Sequence, residues 1–272
     1  MKIAEQERHR LRNQKIRRAV GAVIVVGVVV GLVFLLSHGS TPKKKTTTTT
    51  TTSTSTTTTT SSTQAPPTTA PVSHTAVAPV CPPTTPAGAT KRVIKFTKAP
   101  PTCISATGVY DATISTDVGT FVVQMKAASS LAAVNSFVFL ARYHYFDLTV
   151  FHRVIPGFVV QGGDPTGTGE GGPGYSFTGN TPPASCKAKS DCYPVWGIAM
   201  ANSTGPSTNG SQFFIVLPGG QTTLDSEPNY TLFGQVISGT KVVAKIGADG
   251  SSSGTPTVLH HIVKVTIAQV SA

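Results

Sequence analysis

Hydrophobic and polar positions divide the chain into three stretches. Residues 19–36 form a run of 18 residues without a polar side chain, residues 46–63 are all Thr or Ser, and the hydrophobic positions of residues 107–272 fall in short, alternating segments. A helix of 18 residues is about 27 Å long, close to the roughly 30 Å hydrocarbon core of a bilayer. The apolar run therefore predicts a transmembrane signal-anchor helix over residues 19–36.

Charged residues give the expected orientation of this helix. Residues 1–18 carry seven Lys and Arg against two Glu, whereas only three Lys follow closely after the span. The excess of positive charge predicts that residues 1–18 are a basic cytoplasmic tail and that everything after Ser37 lies outside the cell membrane. A cleaved signal peptide is the alternative, but its apolar core is usually shorter. Either way, the rest of the chain is predicted to be exported.

Residues 37–106 have the composition of a stalk. They are rich in Thr, Ser and Pro, a composition that buries no core and is typical of disordered, O-glycosylated linkers. As a flexible coil this stretch spans about 45 Å. We expect it to hold the following domain away from the bilayer.

Residues 107–272 predict one mainly β domain. Alternation over residues 110–116 and 120–126 predicts two strands joined by a turn at 117–119, with Phe121, Val123 and Met125 on one face of the second. Many short strands with few helices are typical of a closed barrel or a sandwich.

Two helices and a closing strand complete the predicted elements. The first helix is predicted to begin after a capping Ser129 or Ser130 and to end near Arg142, and the second covers residues 239–246. Val263, Val265 and Ile267 alternate with polar or small residues and are predicted to share the buried face of a final strand.

The distribution of charge excludes one class of partner. The whole chain has a formal charge of +11, yet residues 107–272 hold 8 basic and 9 acidic side chains. A nucleic-acid-binding domain needs Lys and Arg clustered on its folded surface. No nucleic-acid partner is therefore predicted.

The four cysteines predict disulfides rather than a metal site. None lies in a Cys-x2-Cys pair or has a His at zinc-finger spacing. An even number in an exported chain favours two disulfides. Four cysteines allow three connectivities, of which the local one is expected: Cys81 with Cys103, and Cys186 with Cys192.

Two segments carry the candidate chemistry: FHRVIPGFVVQGGD at residues 151–164 and MANSTGPSTNGSQFFI at residues 200–215. If the first begins as a strand, Phe151 and Arg153 share one face, and Phe158 and Gln161 rejoin it beyond the Pro156-Gly157 break. Sparse polar groups among aromatic rings are typical of a peptide or small-molecule site. The alternative is that the phenylalanines are core residues and Arg153 is a solvated surface cation.

Both segments resemble the two signature regions of the cyclophilins, which are peptidyl-prolyl cis/trans isomerases. The resemblance covers residues 107–272 and implies a closed eight-stranded antiparallel β-barrel capped by two α-helices. It also implies that Arg153 is the catalytic residue. The substrate-binding residues that it implies are Phe158, Val159, Gln161, Asn202, Gln212, Phe214, Leu224 and Tyr230.

The chemistry of the reaction agrees with this assignment. Rotation about an X-Pro bond has a barrier of about 18–20 kcal/mol because amide resonance must be broken. A guanidinium that donates to the prolyl nitrogen binds the twisted amide better than either planar ground state. The reaction needs no metal, cofactor or covalent intermediate, and its expected partners are proline-containing polypeptides.

Three departures from the family pattern change what we expect of the site. Tyr230 replaces the His of many eukaryotic members and resembles the bacterial type. An insertion follows Asn202 and puts the geometry there in question. Thr223 lies where an aromatic residue is usual, so we expect weak binding of the inhibitor cyclosporin.

Three other sequence features allow interpretations that differ from an isomerase. His152 lacks a nucleophile motif beside it, His260-His261 favours a solvated turn over a metal site, and the glycines of residues 162–169 do not match a dinucleotide fingerprint. A cyclophilin-fold module that binds proline segments with little turnover is the alternative function, and a purely structural wall protein is a third. The sequence favours a membrane-anchored isomerase that assists the folding of extracytoplasmic polypeptides.

Overall fold

A computed structural model describes residues 74–84, 88–183, 185–186, 191–226 and 228–271. The predicted cytoplasmic tail, the predicted anchor and most of the predicted stalk lie outside these residues. No helix within the described part is long and apolar enough to cross a membrane.

The described residues form nine strands, three α-helices and one 3-10 turn. The strands are β1 (Val109–Thr116), β2 (Gly119–Lys126), β3 (Thr149–Val150), β4 (Arg153–Ile155), β5 (Val159–Gly162), β6 (Gly197–Met200), β7 (Phe213–Val216), β8 (Leu232–Ser238) and β9 (His261–Val270). The helices are α1 (Leu131–Arg142), α2 (Gln221–Ser226) and α3 (Thr240–Ala248), and the 3-10 turn is Pro206–Thr208. Helices α1 and α3 correspond to the two predicted helices, and α2 is a third, unpredicted helix of only six residues.

The strands build one curled antiparallel sheet in the order β3-β9-β1-β2-β8-β6-β7-β5-β4. The prediction of a mainly β fold is confirmed, but the described sheet has nine strands rather than eight, and its two end strands, β3 and β4, are not paired with each other. They have only two and three residues. In the sequence between β3 and β4, Phe151 donates its backbone N–H to the His260 carbonyl (3.1 Å).

The β1–β2 hairpin forms as predicted. Thr116 pairs with Gly119 across the turn, and Phe121, Val123 and Met125 are all fully buried on one face of β2. Alternating apolar positions on a half-buried strand identify the core face directly. This hairpin lies at the centre of the sheet, between β9 and β8.

A bulge changes the buried face of β9. Ser115 pairs with Lys264 but Thr116 pairs with Ile262, so one residue of β9 is skipped. Such an extra residue reverses the alternation on one side of the bulge. As a result Ile262 is buried and Val263 is 43% exposed, so the prediction that Val263 faces the core is wrong.

Helices α1 and α3 pack on the sheet close to their predicted positions. Ser130 precedes α1 but makes no side-chain capping hydrogen bond, so the expected cap is absent there. Phe137 of α1 stacks on Phe146 at 4.7 Å and lies edge-on to Phe213 of β7 at 5.7 Å. The main core is therefore an aromatic layer between α1 and the sheet.

His260 is buried rather than solvated, contrary to the sequence prediction. Its two ring nitrogens lie 3.0 Å from an Asp117 carboxylate oxygen and 2.9 Å from one of Asp249. This pairing joins the β1–β2 turn, the end of α3 and the start of β9.

Part of the predicted stalk packs on the domain. Phe96 is fully buried and lies edge-on to Phe139 (4.8 Å) and Tyr143 (5.2 Å). The predicted Cys81–Cys103 disulfide is present. The folded part of the chain therefore begins before Thr107, and we call the described residues between 74 and 106 the strap.

Candidate active site

Strand register brings three of the predicted site residues into one row across the sheet. Arg153 of β4 pairs with Gln161 of β5, Gln161 pairs with Phe214 of β7, and Phe214 pairs with Ala199 of β6. Residues that are directly opposite on neighbouring strands project from the same face. The prediction that Arg153 and Gln161 share a face is confirmed, whereas Phe151 is fully buried in the main core.

A chain of hydrogen bonds leads from the guanidinium to a loop. Arg153 Nη1 donates to Gln161 Oε1 (3.3 Å), and Gln161 Nε2 donates to Gln212 Oε1 (3.0 Å). Gln212 Nε2 in turn donates to the carbonyls of Gly169 (2.8 Å) and Gly171 (3.0 Å). Each amide is thereby oriented by its neighbour.

The charge of Arg153 is not neutralised by a carboxylate. Within the described part of the chain its side chain forms no ion pair, and its polar partner is the neutral amide of Gln161. The guanidinium carbon lies 5.8 Å from the centre of the Phe158 ring. Since a guanidinium has five N–H donors, most of them are available to a ligand.

The turn between β4 and β5 fixes Phe158. Gly157 adopts φ +72°, a left-handed conformation that favours glycine. Phe158 donates its N–H to the Ile155 carbonyl (3.0 Å) and accepts from the Leu217 N–H (2.9 Å). The ring is thus held beside Arg153 by backbone bonds on both sides.

A second, smaller apolar cluster lies behind Phe158, separate from the main core. We call it the pocket cluster; its buried members are Val159, Cys186, Cys192, Tyr193, Ala199, Phe214, Val216 and Leu224, and Phe158, Ala201, Tyr230 and Leu232 pack against it. Phe214 and Tyr230 meet edge-on at 5.1 Å. All five predicted apolar contact residues therefore belong to one cluster.

Two surface depressions meet at Asn202. One, of about 640 Å³, is lined by Phe158, Leu224 and Tyr230 together with Thr223 and the loop after Asn202. The other, of about 790 Å³, is lined by Gln161, Gln212, Ala201 and the glycine-rich loop at 169–174. The first combines three apolar side chains with polar groups of Thr223, Ser226 and Asn229, and the second includes the side-chain amides of Gln161 and Gln212.

The loop after Asn202 is ordered by its own hydrogen bonds. Asn202 Oδ1 accepts from the Gly205 N–H (3.0 Å), and Asn202 Nδ2 donates to the Asn229 carbonyl (3.1 Å). The amides of Ser203 and Thr204 donate to Thr208 Oγ1. The insertion is therefore accommodated as a local turn, and Asn202 keeps its position between the depressions.

Comparison with known proteins identifies the family of the fold. The family described as cyclophilin type peptidyl-prolyl cis-trans isomerase/CLD matches residues 111–270. A peptidyl-prolyl cis-trans isomerase of Arabidopsis thaliana is 39% identical over 138 residues, covering 51% of this chain and 80% of that protein. Peptidyl-prolyl cis-trans isomerase A of Mycobacterium tuberculosis is 44% identical over 124 residues, covering 43% and 63%. A crystal structure of a Cryptosporidium parvum cyclophilin aligns with a TM-score of 0.51 and 28% identity, covering 60% of this chain and 99% of that one.

The chain belongs to the cyclophilin family. Its enzymatic class is that of the peptidyl-prolyl cis-trans isomerases.

The cyclophilin domain contains site features that the sequence did not indicate. Asp164 is fully buried and accepts bonds from the amides of Thr166 (2.7 Å), Gly169 (2.6 Å) and Gly171 (3.1 Å). Burial opposes its ionisation, but these bonds outweigh burial and lower the pKa of the carboxyl. The glycine-rich run that does not match a dinucleotide fingerprint is thus a loop built around a carboxylate.

His152 packs beside the glycine-rich loop of this cyclophilin. Burial lowers its pKa, which favours the neutral imidazole, and its ring lies against Gly169. A role in holding the loop agrees with this position. The expected structural role is supported.

The second predicted disulfide, Cys186–Cys192, is present and belongs to the pocket cluster. Cys186 and Cys192 are 7% and 2% exposed. The disulfide thus contributes to the apolar packing behind the candidate site of the cyclophilin domain.

Proposed function

We propose that this cyclophilin isomerises X-Pro bonds of extracytoplasmic polypeptides and that Arg153 is its catalytic residue. The observation that carries the proposal is an Arg153 guanidinium with one neutral amide partner, 5.8 Å from the Phe158 ring at the rim of an apolar cluster. A cation beside a dry pocket is the arrangement that a twisting prolyl amide requires.

Arg153 acts by stabilising the transition state. As the amide rotates, its nitrogen lone pair localises and accepts a hydrogen bond from the guanidinium. In either planar ground state the lone pair is delocalised, so this hydrogen bond is weaker there. A hydrogen bond to a charged group is worth about 1.5–3 kcal/mol, which corresponds to roughly ten- to a hundredfold in rate. Arg suits this task because its donors sit in a fixed, permanently charged fork.

The other site residues bind two different parts of the substrate, the proline ring and the peptide backbone. Phe158, Phe214, Leu224 and Tyr230, with Val159 beneath them, hold the proline ring in the pocket cluster. Gln161, Gln212 and Asn202 offer amide groups to the peptide backbone across the neighbouring depression. Gripping the ring while the acyl side stays free lets the bond between them turn.

A related structure supports a proline-containing substrate. A second Cryptosporidium parvum cyclophilin structure, 29% identical and with a TM-score of 0.51, was determined in the presence of the dipeptide Ala-Pro. This chain contains its own Ala-Pro sequences, for example Ala78-Pro79 and Ala99-Pro100. Proline-containing polypeptides are therefore the proposed substrates.

The setting of the enzyme is also part of the proposal. The apolar run at residues 19–36 anchors the chain in the cell membrane, with residues 1–18 in the cytoplasm and the isomerase outside, where it assists folding. The hydropathy and charge of the amino-terminal segment support this orientation. Tyr230 supports a bacterial type of cyclophilin, and Thr223 supports weak cyclosporin binding.

A protease-coupled isomerisation assay with the full chain tests the activity. A proline tetrapeptide should convert at a rate proportional to enzyme concentration and should show no dependence on added metal or cofactor. Peptide binding, measured by calorimetry, without any acceleration would contradict the isomerase and support a binding module.

A further inference from the structure

Tyr193 connects the pocket cluster to the backbone of Tyr230. The Tyr193 hydroxyl donates to the Tyr230 carbonyl (2.9 Å) and accepts from the Tyr230 N–H (2.8 Å). Tyr193 is fully buried. One hydroxyl therefore satisfies both backbone groups of a residue that lies outside any helix or strand.

The backbone of Tyr193 binds the opposite part of the same wall. Its N–H donates to Asp225 Oδ1 (3.0 Å) in α2, and Asp225 directly follows Leu224. Because α2 has only six residues, it has little stability of its own. Tyr193 thus holds both Leu224 and Tyr230, which form the two outer walls of the depression of about 640 Å³ beside Phe158.

The Cys186–Cys192 disulfide lies directly before Tyr193. Both cysteines pack in the pocket cluster with Val159, Phe214 and Leu224. The bond closes a loop with a sequence separation of only six, so it restricts the conformations open to residue 192 and its neighbour. The position of Tyr193 is therefore tied to an oxidised pair of cysteines.

We propose that Tyr193 is a positioning residue of the isomerase and that the Cys186–Cys192 disulfide keeps it in place, so that the grip on the proline ring depends on oxidation of this pair. This inference rests on the function proposed above. Tyr193 has no part in the bond to the prolyl nitrogen, since it touches Tyr230 and Asp225 and not Arg153. Loss of its hydroxyl should weaken ground-state and transition-state binding alike.

Reduction of the disulfide is a two-electron step. A dithiol reductant such as dithiothreitol gives two electrons and two protons, the S–S bond breaks into two thiols, and the reagent closes to its own disulfide. Released from this ring, residue 192 no longer fixes Tyr193. The outer walls then separate, and proline peptides bind less tightly.

Tyr193→Phe in the full chain tests the hydroxyl. It keeps the ring but removes both bonds to Tyr230, so KM for a proline peptide should rise about three- to tenfold, the range given by a lost hydrogen bond, while kcat stays near the parent value. The backbone amide of Tyr230 should also exchange its hydrogen faster. The matched control is Tyr110→Phe, which removes a buried hydroxyl that accepts from the Ser105 amide (2.9 Å), far along the chain from the site; its KM should not change.

The two disulfides supply a matched pair of double variants. In Cys81→Ser/Cys103→Ser, dithiothreitol should raise KM to the level of Tyr193→Phe. In Cys186→Ser/Cys192→Ser, KM should be raised already and should not respond to the reagent. If Tyr193→Phe does not fold, the KM of the reduced Cys81→Ser/Cys103→Ser protein decides the question.

The result that overturns the inference differs from the one that overturns the proposed function. A parent enzyme that is active, loses activity in Arg153→Ala, and keeps its KM in Tyr193→Phe and after reduction would refute the role of Tyr193 alone. A lower kcat at constant KM, together with a lower melting temperature, would likewise reduce Tyr193 to a stabilising residue. A parent chain without isomerase activity would instead refute the proposed function itself.

Discussion

The side chain of Arg153 is fixed on both sides. Its strand partner Gln161 binds one guanidinium nitrogen, and its side chain packs against Gly254, where an added Cβ would lie 3.2 Å from the Arg153 Cγ. On the free edge of β4, the Val154 N–H donates to the Gly254 carbonyl (2.8 Å). The guanidinium is thus positioned by neutral groups that do not compete for its charge.

Arg153→Ala should lower kcat by at least about tenfold, because it removes a charge-assisted hydrogen bond that forms only in the transition state. The half-buried side chain contributes little to the core, so the circular dichroism spectrum should not change. Arg153→Lys should also be poor, because an ammonium lacks the planar fork. An unaltered kcat in a folded Arg153→Ala protein would remove Arg153 from the mechanism.

Single residues of the site were predictable where one short segment carries them. Arg153, Phe158 and Gln161 lie within nine residues, and a turn at Pro156-Gly157 between two short strands places the first and the last opposite each other. Tyr193 was not predictable, because its role depends on contacts with Tyr230, 37 residues further along the chain. No local pattern encodes such a contact.

At the scale of elements, the loop at residues 164–171 acts as the support of the amide chain. The Asp164 carboxylate binds the amides of Gly169 and Gly171, and the carbonyls of the same two glycines accept from Gln212. A buried carboxylate that satisfies several amides fixes a loop without regular secondary structure. The orientation of Gln212 therefore depends on a residue that is fully buried behind the site.

Asp164→Asn should lower kcat/KM about three- to tenfold. The substitution keeps the size of the side chain but places an NH2 group where amide N–H donors point, which leaves buried donors without an acceptor. The isomerase assay should be read beside Asp111→Asn, a control in which the altered carboxylate accepts only a Gln124 amide (3.2 Å) in the sheet. Equal activities of the two variants would disprove the supporting role of this loop.

Helix α2 carries the residue on which the expected weak binding of cyclosporin depends. Thr223 is exposed and lines the depression beside Leu224, where Thr offers neither the area nor the N–H of a Trp. Losing a third of a contact of about 150–250 Å² at about 25 cal/mol per Å² costs roughly 1–2 kcal/mol, and a missing hydrogen bond adds about one more. We therefore expect cyclosporin to bind at least about ten- to a hundredfold more weakly than to a cyclophilin with Trp at this position.

Calorimetric titration of the parent and of Thr223→Trp tests this expectation. The substitution should regain affinity, and peptide isomerisation by the parent should be unaffected because Arg153 and the pocket cluster are intact. Tight binding by the parent would show that Thr223 does not contribute to the drug-binding rim.

Elements with a clear period were predictable, and irregular ones were not. The alternation of Phe121, Val123 and Met125 predicted β2 and its buried face. The bulge in β9 buries Ile262 in place of Val263 and depends on pairing with Ser115 and Thr116 of β1. The sequence of β9 alone does not encode this pairing. Similarly, the composition of residues 74–106 favoured a stalk, because one buried Phe96 changes the average polarity very little.

At the scale of the whole molecule, His260 joins three distant parts of the fold. Its partners are Asp117 in the β1–β2 turn and Asp249 at the end of α3, and Asp249 also lies 3.4 Å from Lys245. Burial disfavours the imidazolium, but the bonds to both carboxylates outweigh burial and raise the pKa of His260. The bond from His260 in turn lowers the pKa of Asp249, and at Asp117 the bonds from His260 and from the His261 backbone outweigh partial desolvation and also lower the pKa.

These shifts predict an upper and a lower pH limit for stability. A raised folded-state pKa of His260 gives stabilisation that is complete below about pH 6.5 and is lost as the pH rises through that raised value. The lowered pKa values of Asp117 and Asp249 give stabilisation that is complete above about pH 4 and is lost as the pH falls further. The free energy of unfolding should therefore be highest between these limits.

Urea unfolding from about pH 3 to about pH 9 measures this dependence. The parent should lose stability above neutral pH, and His260→Gln should lose that decline. His261→Gln, which alters the adjacent exposed histidine, should behave like the parent. A parent whose stability is constant from about pH 6 to about pH 9 would show that His260 is not held as an imidazolium.

The Cys81–Cys103 disulfide gives the strap a mechanical property. Any tension that enters the chain from the amino-terminal side reaches Cys81 and passes through the covalent bond to Cys103. Once the bonds from Val77 to Lys95 and Thr97 have broken, the disulfide bypasses residues 82–102, which include the buried Val93 and Phe96, and these residues carry no further load. A pull that would otherwise peel these side chains from the domain one after another is delivered instead to residue 103, where the Cys103 N–H is bound to Asn135 Oδ1 (2.8 Å) of α1.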